Sequence, residues 1–111
     1  MQSLTIDLDK YAKQVPVLAG RDRGELVRSL EGLEEAMTQR IPVTILIPDY
    51  IASVNSSFFL AMLERTIKTL GETEFRRLYT LRGPDAAAIL DDGIRTALLM
   101  GSRFRPVRHG A

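Results

Sequence analysis

No cysteine occurs among the 111 residues, and histidine occurs once, at His109. The first absence removes disulfides, thiolate catalysis and zinc–cysteine sites together, and it fits a reducing compartment. The second leaves the body of the chain without histidine acid–base chemistry and would leave a metal ion only an all-oxygen site; no metal and no cofactor is expected. Long apolar runs are missing as well. The longest, Val43 to Ile47 and Phe58 to Leu63, fall far short of the roughly 20 residues of a membrane span. The opening Met-Gln-Ser-Leu-Thr-Ile-Asp lacks the charged-then-apolar order of a signal peptide, so a cytoplasmic protein is expected. Charge of either sign is nearly balanced, at +1 net, but unevenly placed: residues 101–111 hold Arg103, Arg105 and Arg108 and no acid. The body is therefore slightly acidic and carries a basic tail.

What remains is an ordinary globular composition, 45% hydrophobic and 26% charged, in a length that suits one domain of about 100–150 residues. Leu4, Ile6 and Leu8 alternate with polar residues, the pattern of a strand with one buried face. Asp9 to Gly20 read either as a second short strand or as an ordered loop, with Pro16 unsuited to a central strand. Asp22 followed by Glu25 resembles a capping box, and Leu26, Leu30, Leu33 and Met37 form the apolar stripe of the helix that follows. Val43 to Ile47 is β-branched and nearly all apolar, which predicts a central strand covered on both faces, with Leu46 in the core.

After Pro48, the residues Asn55, Ser56 and Ser57 favour a helix start, and Phe59, Leu63, Ile67 and Leu70 continue the helix to a stop at Gly71. Tyr79 to Leu81 reads as another strand. Gly83-Pro84 then breaks the chain before a helical region holding Ile89, Leu90, Ile94 and Leu98, which Asp91-Asp92-Gly93 either splits or leaves whole. Strands separated by amphipathic helices imply crossover connections. The expected fold is α/β, a mixed sheet of about four strands with helices mainly on one face, over residues 1–101, followed by a flexible basic tail at 102–111.

From Pro42 to Leu99 the chain resembles the STAS-like domains, relatives of the anti-sigma factor antagonists. The likeness is carried by the apolar strand Val43 to Ile47, then Asp49, then Val54-Asn55-Ser56-Ser57-Phe58-Phe59-Leu60 opening a helix. Leu70-Gly71, Phe75-Arg76-Arg77-Leu78-Tyr79 and Asp92-Gly93-Ile94-Arg95-Thr96-Ala97-Leu98 resemble a subfamily of unassigned function found in bacterial and phage genomes. In the antagonists the helix start reads Asp-Ser-Ser-Gly or Asp-Ser-Thr-Gly, and the first hydroxyl is phosphorylated by a partner serine kinase. The resemblance places Asn55 at the acid and Ser56 at the phosphorylated serine, with Ser57 beside it. Here Asn stands for Asp and Phe58 for the glycine.

That resemblance implies a non-enzymatic regulatory domain that binds a protein partner such as a histidine-kinase-like ATPase or a serine kinase. Ser56 and Ser57 are the candidate phosphorylation sites; Asp49, Tyr50, Ile51, Asn55 and Phe58 are the candidate partner-binding residues. Each has a plainer role. The serines can act as helix caps, and Tyr50 and Ile51 can lid the core at a strand end where partners also tend to meet α/β sheets. A phosphate at Ser56 would add about −1.5 to −2 charges at the positive end of a helix, tolerated by the fold and felt by a partner. The alternative is a non-switching structural or oligomerising module of a phage or mobile-element system, for instance a homodimer.

No catalytic constellation accompanies these residues. Gly20-Arg21-Asp22-Arg23-Gly24 lacks the lysine and spacing of a P-loop, and the neighbouring Asp91 and Asp92 do not face one another on a helix. Arg76-Arg77, beside Phe75 and Tyr79, suits either an anion or RNA surface or, more simply, a solvated helix face; the tail arginines give only weak, salt-sensitive attraction to phosphates, and nucleic acid is not an expected partner.

Overall fold

The computed structural model describes residues 2–109, with side chains described through residue 99. In chain order the elements are β1 (Leu4–Asp7), α1 (Asp9–Ala12), β2 (Val17–Leu18), α2 (Arg21–Leu30), α3 (Leu33–Gln39), β3 (Val43–Leu46), β4 (Ser53–Val54), α4 (Ser56–Leu70), α5 (Glu72–Leu78), β5 (Tyr79–Arg82) and α6 (Ala86–His109). The basic tail expected over 102–111 lies outside the described side chains. Among the described residues no helix is long and apolar enough to cross a membrane.

The fold is α/β. β1, β3 and β5 form a three-stranded sheet with β3 central, and β2 pairs with β4 in a second, two-stranded sheet. Every pairing among these strands is parallel, so the sheet is not mixed, and its strands divide three and two instead of forming one sheet of about four. The cause lies in the connections. Helices intervene between β1 and β3 and between β3 and β5, carrying the chain back to the same end each time, which is how parallel neighbours are joined.

The order β1-β3-β5 advances in one direction, and successive crossovers of one hand put their helices on one face of a sheet. Burial follows this. Ile6, Val43, Ile45 and Tyr79 are buried, while Thr5, Asp7, Thr80 and Arg82 point the other way and are exposed, with Thr44 and Leu46 half-buried. β3 is therefore covered on one face only, contrary to the reading of its apolar run. Because side chains alternate along a strand, Ile45 is the core residue and Leu46 stands on the open face.

The helical layer departs from the sequence pattern at one bend. Gly32, at φ +74, turns the chain between α2 and α3, so Leu26, Leu30, Leu33 and Met37 do not share one helix face. Leu33 and Met37 are buried from α3, whereas Leu26 and Leu30 remain 49% and 66% exposed on α2. α2 instead presents Gly24 and Val27 inward. It also sends in Arg28, whose guanidinium donates to the Met62 carbonyl at 2.8 Å and the Thr66 hydroxyl at 2.8 Å on α4, and to Glu34 at 2.8 Å. This ties α2 and α3 to the middle of α4.

α6 runs through Asp91-Asp92-Gly93 without a break. Gly93 lies where α6 meets α4: a Cβ there would come within 2.1 Å of the Phe59 ring. The glycine that looked like an interruption is the point of close helix–helix approach.

Candidate functional site

The carboxyl ends of the strands in an open α/β sheet are where ligands and partners characteristically meet the protein. Here β3 leads into residues 47–55 and β5 into residues 83–85, and the two connections converge. The first is stitched to the chain beside β2: the Ala52 amide donates to the Pro16 carbonyl at 2.7 Å and the Asn55 amide to the Leu18 carbonyl at 2.8 Å. The second is drawn in by Gly83, at φ +133, whose missing Cβ would lie 2.4 Å from the Ile47 carbonyl oxygen. No larger residue could pass so close.

Asn55 caps α4. Its backbone is extended, and its side-chain oxygen accepts from the Ser57 amide and from the Ser57 hydroxyl, each at 2.9 Å. The capping acceptor is the asparagine and not the serines expected from the sequence, and of the two hydroxyls only that of Ser57 is drawn into the cap. Ser56, first residue of the helix, is exposed and its hydroxyl takes no part in this cap. An Asn can fill the position of an acid because either side chain offers the acceptor that an orphan N–H requires.

The remaining candidates separate by burial. Asp49 is exposed and Tyr50 half-buried. Tyr50 donates its hydroxyl hydrogen to the Asp9 carboxylate and accepts from the Gln14 amide at 3.1 Å, and the bond to Asp9 raises its pKa above the usual tyrosine value. It thereby straps the segment after β1 to the segment after β3. Ile51 and Phe58 cannot serve as surface contacts: Ile51 is 5% and Phe58 0% exposed. The apolar position that follows the serine pair points inward because the first turn of α4 packs against α2 at Gly24.

Between these connections and α6 lies a cleft of about 310 Å³. Its floor is Ile51, Val54, Phe59 and Ile89; Ser53, Ser56, Asp85, Asp92 and Thr96 line it as polar groups, and no lysine or arginine is among the lining residues described. Ser56 is thus joined by residues that sequence reasoning passed over. Asp85 directly follows the Gly83-Pro84 break and carries no sequence signal of its own. Asp92 stands out in the sequence as half of an adjacent acid pair and as part of a possible helix break, not as a cleft residue. The available signal was their position after a parallel strand and on the first turns of the next helix. Among the described residues, no group of acidic or histidine side chains is arranged to hold a metal ion.

The arrangement offers the hydroxyls of Ser53, Ser56 and Thr96, two carboxylates and an apolar floor. In comparisons with known proteins, the chain matches no family model, no curated protein and no solved structure.

Proposed function

We propose that this chain is a small, cytoplasmic, non-enzymatic regulatory domain of STAS-like type that binds a protein partner through the cleft beside α4, with Ser56 as a phosphorylation switch. The observation that carries the reading is the division of labour at the start of α4. Asn55 caps the helix, so the exposed Ser56 hydroxyl on the cleft is free of a structural duty. A phosphoryl group there would meet the positive end of a helix dipole, which offsets part of its repulsion by nearby carboxylates and limits the cost to the fold. It would also enter a cleft already lined by Asp85 and Asp92, and a partner would feel it strongly. A serine kinase or a histidine-kinase-like ATPase is the kind of partner this reading implies.

Phosphosite mapping of the protein isolated from its native host tests this. Phosphate is expected on Ser56 and not on Ser57, whose hydroxyl is engaged with Asn55. A protein free of phosphate, or phosphorylated only at Ser57, contradicts the switch. In parallel, Asn55→Ala should cost about 0.5–2 kcal/mol as a lost cap, whereas Ser56→Ala should melt like wild type.

A second reading, an oligomerising structural module without a switch, draws on Leu26 and Leu30. They lie one turn apart on α2 and are largely exposed. Such neighbours on one helix face could pack against a second copy.

A further inference from the structure

The cleft beside Ser56 has a charge that restricts what can enter it. Asp85 and Asp92 line it, and no lysine or arginine does among the described residues. The starts of α4 and α6 both lie at this cleft, and each helix N-terminus is worth roughly half a positive charge. Together they amount to about one, against two full carboxylates, so the balance remains negative. Arg95 lies 3.3 Å from Asp92, but both side chains are 72% exposed, and an exposed pair of this kind holds its partners weakly. Beneath the carboxylates, Ile51, Val54, Phe59 and Ile89 form an apolar floor. The volume, about 310 Å³, is at the low end of the roughly 300–1,000 Å³ typical of ligand pockets. That is room for one long side chain.

Resting on the reading of this cleft as the partner site, we propose that it receives an arginine or lysine side chain from the protein partner. The aliphatic stem of such a residue lies along the apolar floor while its charged head reaches the polar rim, where Asp85 and Asp92 meet it. An acidic or phosphorylated partner segment is disfavoured by the same two carboxylates. A phosphoryl group on Ser56 adds acceptor oxygens next to them, and arginine pairs with phosphate through two parallel hydrogen bonds. Phosphorylation therefore tightens the grip on a basic side chain. Ser56 and the two aspartates act in the same direction, and the switch has a defined sign.

Panning a random peptide library against the wild-type protein tests the inference, with retained peptides then titrated against wild type, Asp85→Asn/Asp92→Asn and Ser56→Asp. At Asp85, where φ is +56, asparagine tolerates the left-handed conformation well; at Asp92, which is exposed, it removes the charge with little change of shape, and melting curves confirm that each variant is folded. Retained peptides should carry arginine or lysine beside apolar residues. They should bind the double variant at least about threefold more weakly, bind Ser56→Asp more tightly, and lose affinity as salt rises. Retained peptides without a basic residue, or with equal affinity for wild type and the double variant, overturn the inference. If such peptides nevertheless respond to Ser56→Asp, the partner-binding reading stands and only the basic side chain is wrong. If no peptide is retained, the cleft as a partner site falls with it.

Discussion

Phe58→Ala should destabilise the protein by about 3–5 kcal/mol, the usual cost of deleting a large buried aromatic ring. Phe58 is fully buried, in the first turn of α4 and within the single core cluster that contains Ile6, Ile45 and Leu63. Removing its ring forfeits the transfer energy and leaves a cavity where the helix begins. Against a total stability of about 5–15 kcal/mol for a domain of this kind, the loss is a large share of the whole. Urea titration checks it. A midpoint near that of wild type, with reduced partner binding, would return Phe58 to the surface role suggested by its place in the Asn55-Ser56-Ser57-Phe58 string.

Gly24→Ala should also destabilise, although on an isolated helix the same change helps by about 1 kcal/mol. Two effects of opposite sign compete. The new Cβ would stand 2.4 Å from the Phe58 carbonyl oxygen and 2.9 Å from the Ala61 Cβ, distances that only a shift of α2 away from α4 can relieve. The nearest obstacle is backbone, which cannot swing aside as a side-chain tip would. Overpacking of this kind costs about 1–3 kcal/mol and occasionally more. The shift would also stretch the bonds from Arg28 to the Met62 carbonyl and the Thr66 hydroxyl, each worth about 1.5–3 kcal/mol as a bond to a charged group. The packing loss therefore wins, by about 2 kcal/mol or more. A melting temperature equal to or above wild type would show that helix propensity decides instead and that the α2–α4 contact is looser than its geometry.

The α/β class and the central place of β3 were legible in the sequence because they rest on strong local patterns: β-branched runs, alternation in Leu4 to Leu8, and helix stripes such as Phe59, Leu63 and Ile67 on α4. The parallel arrangement was less legible, since strand direction is decided by how the crossovers run and not by the strands' own residues. The open face of the sheet was masked by Leu46, an apolar residue that the period of two sends outward beside Asp7 and Arg82. The stripe on α2 failed at Gly32, where a left-handed turn changes the helix axis midway through an otherwise regular spacing. Of the site, Asn55, Ser56 and Ser57 were visible as residues that favour helix starts. Which of them caps depended on side-chain geometry that spacing does not encode. Asp85 and Asp92 could not be joined to Ser56 from the sequence, because the segments carrying them meet only after β5 is laid beside β3.

The expectation that a partner reads the charge on Ser56 far more strongly than the fold does is open to direct measurement. Its most direct test is the affinity of the isolated protein partner for the chain carrying phosphate at Ser56 and for the unmodified chain, by titration calorimetry with melting temperatures recorded on the same samples. Tighter binding by at least about tenfold, or ~1.4 kcal/mol, is expected, with the melting temperature lowered at most slightly. Equal affinities for the two forms, or a difference matched by a comparable loss of stability, would contradict it and leave Ser56 as one more exposed residue at the start of α4.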